Sequence, residues 1–126
     1  MTTAPSEPRP LILVVEEETH ERVFIVGHLA EAGYEVIEAE DSDTALRLVE
    51  SRSELKALVT DAHVPGNIDG HELATEVRKR WPRLGVVLMS GHSDASSGPL
   101  PEGSEFVAKP HLTSRLVPAL QALLGR

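Results

Sequence analysis

The chain has 126 residues, of which 40% are hydrophobic and 25% charged, with no cysteine and a formal net charge of −8 at pH 7. Its length allows one domain around a single core, and the absence of cysteine excludes disulfide bonds and thiolate zinc sites. The acidity argues against a nucleic-acid surface or an anionic membrane surface, because both need clustered Lys and Arg.

The amino terminus is polar. Its first ten residues, MTTAPSEPRP, are rich in proline and do not resemble the apolar core of a secretory signal. No apolar run approaches the roughly 20 residues that a membrane-spanning helix needs. We therefore expect a cytoplasmic protein that does not bind membranes, in which residues 1–10 form a disordered tail and residues 11–126 form one domain.

Five short apolar runs predict β-strands. Four of them are rich in aliphatic and β-branched residues, as expected for strands that are buried on both faces. These four runs are residues 11–15, 57–59, 86–89 and 106–108. The fifth run, residues 35–39, has Val36 and Ile37 between acidic neighbours, which predicts a strand at the edge of a sheet.

Helical patterns alternate with these strands and predict an α/β fold. The patterns cover residues 21–32, 42–51, 70–81 and 114–124. Strands that alternate with helices indicate βαβ units, right-handed crossovers and a mainly parallel sheet. In the first helix we expect Phe24 and Leu29 to face the core and Gly33 to end the helix. Ser42 or Asp43 is the expected N-cap of the second helix.

One stretch interrupts the alternation. Between the fourth and fifth strands the chain reads SGHSDASSGPLPEGS, which offers no apolar stripe, and Gly98-Pro99 would end any helix that began near Ser93. A helix with so little to bury is marginal. We therefore expect the fourth helix of the alternating pattern to be short or missing and residues 93–104 to form a mobile loop.

Chemically active side chains follow four of the strands. Glu16 and Glu17 come after the first strand, Asp61 ends the third, Ser90 follows the fourth and Lys109 follows the fifth. Sites in open parallel sheets form at the carboxyl ends of the strands. The sequence therefore predicts that carboxylates, a hydroxyl and an ammonium group meet at one edge of the sheet.

The motifs LILVVEEE, LVTDAHVPGNIDGHEL, VVLMSGH and FVAKPH resemble the receiver domain of bacterial response regulators, and the resemblance spans nearly the whole chain. It implies a flavodoxin-like, doubly wound five-stranded parallel sheet of order 2-1-3-4-5. It also implies a phospho-acceptor of two-component signalling, which receives its phosphoryl group from a sensor histidine kinase or a histidine phosphotransfer protein. Because the chain ends one helix after Lys109, we expect no attached output domain, and signalling by contact with a downstream protein partner.

The resemblance also implies roles for individual residues. Asp61 would be the nucleophile that becomes an aspartyl-phosphate. Lys109 would pair with the phosphoryl oxygens, and Ser90 would donate its hydroxyl to the phosphoryl group. Ser90 and Phe106 occupy the two switch positions. We expect self-catalysed phosphorylation and dephosphorylation and no other enzymatic activity.

Mg²⁺ is the cofactor that the resemblance implies. Its ligands would be Glu16, Glu17, Asp61 and the backbone carbonyl of His63, since Mg²⁺ prefers oxygen ligands. Many receivers have aspartate at the position of Glu17, and the longer side chain predicts weaker Mg²⁺ binding here, which Glu17→Asp would restore. The loop at residues 65–68 has one extra residue, which such a loop tolerates at little cost.

Three further expectations concern geometry and alternatives. The resemblance implies a cis peptide bond between Lys109 and Pro110, which would aim Lys109 inward. A second interpretation is a receiver-like binding module that is not phosphorylated, with Glu17 as its best argument. A third is a flavodoxin-like phosphatase, although such enzymes normally have a second aspartate where this chain has His63.

Overall fold

The computed structural model describes residues 9–91 and 100–125. The strands are β1 (Leu11–Val15), β2 (Glu35–Ala39), β3 (Leu55–Asp61), β4 (Gly85–Ser90) and β5 (Glu105–Ala108). The α-helices of the described part are α1 (Thr19–Glu31), α2 (Ser42–Ser51), α3 (Gly70–Arg80) and α4 (Leu112–Leu124), and a 3₁₀ turn covers Lys109–His111. The predicted bounds of β1, β2 and α2 are confirmed, and those of the other elements differ by one or two residues at one or both ends. Residues 1–8 of the predicted tail lie outside the described residues.

The five strands form one parallel sheet of order β2-β1-β3-β4-β5. This confirms the flavodoxin-like α/β fold and the expected strand order. The edge position predicted for β2 is also confirmed, since Val36 and Ile37 are only half-buried. By contrast, every residue of β1 and β4 is buried, because both strands are covered by helices on the two faces of the sheet.

A separate apolar core lies on each face of the sheet. On one face, β1 contributes Leu13 and Val15, which pack against α2 and α3. On the other face, the alternate residues Ile12 and Val14 pack against α1 and α4. Successive side chains of a strand point to opposite faces, so the uninterrupted apolar sequence of β1 serves both cores. None of the helices in the described part of the chain is long and apolar enough to cross a membrane.

The buried face of α1 differs from the prediction. Ile25 and Leu29 face the core, whereas Phe24 is 51% exposed. The third buried residue on this face is Arg22, whose guanidinium group donates to the Glu16 carbonyl at 2.9 Å. The prediction is confirmed for Leu29 and wrong for Phe24, because an arginine on the inner face breaks the apolar periodicity of the sequence. The predicted end of the helix at Gly33 is confirmed, with φ +99° after the C-cap residue.

The predicted N-cap of α2 was wrong. Asp41 is the cap, and its side chain accepts a hydrogen bond from the Thr44 amide at 2.7 Å. The helix includes Ser42 as its first residue, so the capping position falls one residue earlier. The Ser42 side chain is buried and instead accepts a hydrogen bond of 3.4 Å from the Ile68 amide in the β3–α3 loop.

The chain leaves β5 through a trans Lys109–Pro110 bond, because the described residues contain no cis peptide bond. The predicted cis bond was therefore wrong. The turn after the strand is made by the 3₁₀ residues Lys109–His111, which have proline near their start. Proline is well suited to the first positions of a helical turn, where its missing N–H is not needed.

Only part of the segment between β4 and β5 is described. Residues 92–99, which hold most of the predicted short or missing helix, lie outside the described residues, and residues 100–104 are not helical. Arg78 of α3 binds the segment at residues 100–104, which leads into β5, since its Nε donates to the Glu102 carbonyl at 3.0 Å. Leu100 packs against the core that α2 and α3 cover.

Candidate functional site

The sheet register brings the predicted site residues to one edge. Asp61 is the last residue of β3 and pairs with Met89 of β4. The next residue of β4, Ser90, pairs with Ala108 of β5, and Lys109 follows directly. Since all strands are parallel, their carboxyl ends lie at the same edge of the sheet. The side chains at these strand ends are therefore close neighbours despite their separation in sequence.

Asp61 is buried, with 7% of its surface exposed, and both of its carboxylate oxygens have partners. Oδ1 accepts a hydrogen bond of 3.2 Å from the His63 amide, and Oδ2 accepts one of 2.7 Å from Lys109 Nζ. The Thr60 hydroxyl donates to the Asp61 carbonyl at 2.9 Å. These contacts hold the carboxylate at the sheet edge in a defined orientation.

The start of α3 packs directly against the backbone of Asp61. A Cβ atom on Gly70, the first residue of this helix, would lie 1.6 Å from the Asp61 carbonyl oxygen. The helix start is fixed by a capping box in which Asp69 and Glu72 each accept a hydrogen bond from the other's amide. Glycine is therefore needed at this position so that α3 can begin beside the end of β3.

Lys109 reaches Asp61, as the sequence predicted. Its ammonium group lies 2.7 Å from Asp61 Oδ2 and 3.1 Å from Glu16 Oε1, and it also donates a hydrogen bond to Glu21 Oε1. Burial alone would lower the pKa of Lys109, but the contacts with Asp61, Glu21 and Glu16 outweigh burial and raise this pKa. The ammonium group is therefore charged at neutral pH.

Glu16 is almost fully buried, at 2% exposure. Its Oε2 accepts a hydrogen bond of 3.1 Å from the Glu18 amide. Its Oε1 has Lys109 as an ion-pair neighbour, but it accepts no hydrogen bond from any residue that the structure describes. Burial raises the pKa of Glu16, and the nearby charge of Asp61 raises it further, against the opposing effects of the Glu18 amide and Lys109. A buried oxygen without a hydrogen bond fits a cation ligand.

Three carboxylates at this edge could hold a metal ion. Oxygen atoms of Glu16, Glu21 and Asp61 lie within 4.8 Å of one another. Hard oxygen ligands of this kind suit Mg²⁺, and the buried Oε1 of Glu16 supports the fit. Two of the predicted ligands, Glu16 and Asp61, are thus brought together.

The other two predicted ligands, Glu17 and the His63 carbonyl, stay predictions. Glu17 has an exposed side chain, and the group formed by the described residues contains Glu21 rather than Glu17. The His63 amide contacts Asp61, while its side chain is exposed. Sequence reasoning missed Glu21 because it considered only residues at strand ends. The available signal was its position in the first turn of the helix that follows β1, since this helix begins at the edge of the sheet where β1 ends.

Arg22 is a second residue that sequence reasoning missed. Its Nη1 donates to the carbonyls of Glu16 at 2.9 Å and Glu17 at 3.4 Å, and its Nε donates to Glu38 Oε1 at 2.9 Å. The same guanidinium group lies 3.5 Å from Glu40. Arg22 therefore ties the loop between β1 and α1 to β2 and fixes the backbone that carries the acidic pair.

The predicted switch residues lie on neighbouring strands. Ser90 is buried at the end of β4. Phe106 of β5 is half-buried, packs against the core on the α2 and α3 face, and borders a cavity of about 380 Å³ between β5 and α4. Their roles in switching remain predictions.

Comparison with known proteins identifies the family. Residues 12–121 match the response regulator receiver domain family. This match covers most of the chain and agrees with the strand order and with the acidic group beside Lys109. The chain belongs to the response regulator receiver domain family.

Curated relatives are longer than this chain. It is similar to the uncharacterized transcriptional regulatory protein YrkP of Bacillus subtilis, with 33% identity over 117 residues that cover 91% of this chain and 49% of YrkP. It is also similar to the nitrogen assimilation regulatory protein NtrX of Azorhizobium caulinodans, with 30% identity over 84% of this chain and 24% of NtrX. The chain spans about half of the first relative and about a quarter of the second.

Solved structures with the same fold include isolated receiver domains. The receiver domain of NtrX from Brucella abortus has a TM-score of 0.80 and 32% identity, covering 90% of this chain and 98% of that chain. The response regulator protein TrrA from Thermotoga maritima, in complex with Mg²⁺–BeF, has a TM-score of 0.82 and 30% identity, covering 91% and 99%. Both similarities agree with the α/β architecture described above.

Proposed function

We propose that this protein is a phospho-acceptor of two-component signal transduction, in which Asp61 takes a phosphoryl group from a sensor histidine kinase or a histidine phosphotransfer protein. The observation that carries the proposal is the buried Asp61 carboxylate with the Lys109 ammonium group 2.7 Å away. A carboxylate that is oriented from one side by an amide and from the other by a permanent cation is suited to nucleophilic attack on phosphorus.

The phosphoryl transfer exchanges a bond between nitrogen and phosphorus for a bond between oxygen and phosphorus. A carboxylate oxygen of Asp61 forms the new O–P bond while the N–P bond to the donor imidazole breaks, and the electron pair of that bond stays on the imidazole nitrogen. The His63 amide and Lys109 orient the carboxylate. Lys109 then pairs with the oxygens of the transferred group, and the Ser90 hydroxyl, on the adjacent strand, would donate a hydrogen bond to it.

Mg²⁺ is the metal that we propose for this site. It would be held by Glu16, Glu17, Asp61 and the His63 carbonyl. When bound, it supplies positive charge that offsets the repulsion between these carboxylates and the phosphoryl oxygens. The complex of TrrA with Mg²⁺–BeF supports this choice of metal.

The phosphoryl group would act by changing contacts with other proteins. We propose a cytoplasmic location. We also propose that the direct target is a downstream protein partner rather than DNA, since the chain carries a net charge of −8. A second candidate is a receiver-like binding module that is not phosphorylated. The exposed position of Glu17, away from the three grouped carboxylates of the described residues, favours this alternative.

The test is the intact mass of the protein after incubation with acetyl phosphate and Mg²⁺. We expect a gain of one phosphoryl group in the wild type and none in Asp61→Asn, which keeps the size of the side chain but removes its charge. A wild type that gains no mass would favour the binding module. An equal gain in Asp61→Asn would show that another residue is the acceptor.

A further inference from the structure

Three carboxylates surround the Lys109 ammonium group, and they differ in their access to solvent. The side chains of Glu16 and Asp61 are 3% and 11% exposed, whereas that of Glu21 is 47% exposed. Glu21 lies in the first turn of α1, where its amide donates to Glu18 Oε1 at 2.8 Å. The helix start therefore holds Glu21 on the outer side of the ammonium group.

A lysine ammonium group has three N–H donors. In the described part of the chain, Lys109 donates hydrogen bonds to Asp61 and to Glu21. Glu16 Oε1 lies 3.1 Å from Lys109 Nζ and forms an ion pair with it, but this oxygen accepts no hydrogen bond from any described residue. The donor that points outward is thus taken by Glu21.

Glu21 and Lys109 also line the same surface cavity. This cavity has a volume of about 520 Å³, and His20, Phe24 and Pro110 are among its other lining residues. Asp61 is buried and the start of α3 packs against its backbone, so Lys109 is the acceptor-site residue that meets a phosphoryl donor arriving through this cavity. The oxygens of an incoming phosphoryl group would therefore meet Lys109 on the side where Glu21 now binds it.

We propose that Glu21 is a positioning residue of the acceptor site, which holds the outward donor of Lys109 in the unmodified protein and competes for it with the phosphoryl oxygens. The inference rests on the proposed function. It adds to the proposed function that Glu21 slows the phosphorylation of Asp61 by small anionic phosphodonors. The charge of Glu21 adds to this effect, because an anion at the entrance repels an anionic donor.

The first experiment measures the rate of phosphorylation by acetyl phosphate at saturating Mg²⁺. In this reaction Asp61 forms an O–P bond, the P–O bond to the acetyl group breaks, and acetate leaves with the electron pair. We expect Glu21→Gln to react about threefold to fivefold faster than the wild type, the scale of one partly exposed ion pair. Glu31→Gln removes the same charge from an exposed position in the last turn of α1 and should leave the rate unchanged.

The variant Glu21→Asp distinguishes the effect of the contact with Lys109 from the effect of the negative charge of Glu21. It keeps the negative charge but shortens the side chain by one methylene, so it should lose the contact with Lys109 and react faster than the wild type but more slowly than Glu21→Gln, which also loses the charge. A rate equal to that of the wild type would show that charge alone acts and would overturn the positioning role. A slower reaction of Glu21→Gln would overturn it as well.

The second experiment examines the unmodified protein without metal. The ¹⁵N NMR signal of the Lys109 ammonium group should shift in Glu21→Gln and Glu21→Asp and stay unchanged in Glu31→Gln. An unchanged signal in both Glu21 variants would exclude the contact. If the wild type gains no phosphoryl group, the proposed function fails together with this inference. If the wild type reacts and Glu21→Gln reacts equally fast, only this inference fails.

Discussion

Glu16 shows how burial and charge oppose each other at this site. The folded protein raises its pKa above the ordinary value of 4.5, mainly because the side chain is buried. A raised pKa means that the folded state holds this proton more tightly than the unfolded state does. The contribution of Glu16 to stability is therefore most favourable below pH 4.5 and is lost as the pH rises through the folded pKa.

Replacement of Glu16 should stabilise the metal-free protein at neutral pH. We expect Glu16→Gln to raise the free energy of unfolding at pH 7 by about 1 kcal/mol, the scale of one buried polar group without a full set of hydrogen bonds. The advantage should shrink at pH 4, where Glu16 is protonated. Urea unfolding at both pH values measures this, with Glu31→Gln as the surface control. A loss of stability at pH 7 would mean that the ion pair with Lys109 outweighs the cost of burial.

The side chain of Glu17 is exposed, although the resemblance to receiver domains predicts that it is a metal ligand. Arg22 holds the Glu17 carbonyl and so limits how far the loop can move. We expect Glu17→Asp to bind Mg²⁺ more tightly, since the shorter side chain suits the strict octahedral geometry of this ion. Calorimetric titration of both proteins decides the matter. Indistinguishable affinities would indicate that the site takes its third carboxylate from another residue.

Among the elements, the start of α3 and the end of β3 form a close contact at the site. The Gly70 position leaves no room for a Cβ atom beside the Asp61 carbonyl. Gly27, in the middle of α1, lies on the exposed face of its helix, and a Cβ atom added there would meet no described atom within 4 Å. Packing therefore requires glycine at position 70 but not at position 27, so the same substitution at the two positions provides a matched comparison.

The same substitution should have opposite effects at these two positions. Gly70→Ala should destabilise the protein by about 1–3 kcal/mol, because α3 must shift away from β3, and the shift should also slow phosphorylation of Asp61. Gly27→Ala should stabilise it by about 0.5–1 kcal/mol, since alanine restricts the unfolded chain and favours the helix. Urea unfolding measures both. A neutral Gly70→Ala would show that the helix start adapts without cost.

At the scale of the whole molecule, the fold concentrates negative charge at one edge of the sheet. Glu16, Glu21 and Asp61 share a single ammonium group there, in a chain whose net charge is −8. A divalent cation bound at this edge would reduce the repulsion in the folded state. Because the carboxylates come together only on folding, the unfolded chain offers no comparable site.

Mg²⁺ should therefore stabilise the folded protein. A ligand that binds only the folded state adds RT ln(1 + [L]/Kd), or about 1.4 kcal/mol at a concentration ten times Kd. We expect the melting temperature to rise with Mg²⁺ and to rise much less in Asp61→Asn. NaCl at matched ionic strength is the control. Equal stabilisation by NaCl would attribute the effect to screening rather than to a bound ion.

The alternation of strands and helices could be predicted from the amino-acid sequence alone, and so could the contact between Asp61 and Lys109. Apolar periodicity predicts strands and helices, because it depends only on residues that are close together along the chain. The resemblance to receiver domains supplied the strand order. Since parallel strands end at the same edge, the positions of Asp61 and Lys109 after their strands were enough to predict that they meet.

The contacts of Glu21 and Arg22 at this edge of the sheet could not be predicted from the sequence. Glu21 and Lys109 are separated by 88 positions in the sequence, so no local pattern connects them. Arg22 lies on the inner face of α1 because backbone carbonyls of the β1–α1 loop are there to bind its guanidinium group. Such contacts depend on where whole elements pack against each other, and the free energy that selects them arises only when the distant parts of the chain are assembled.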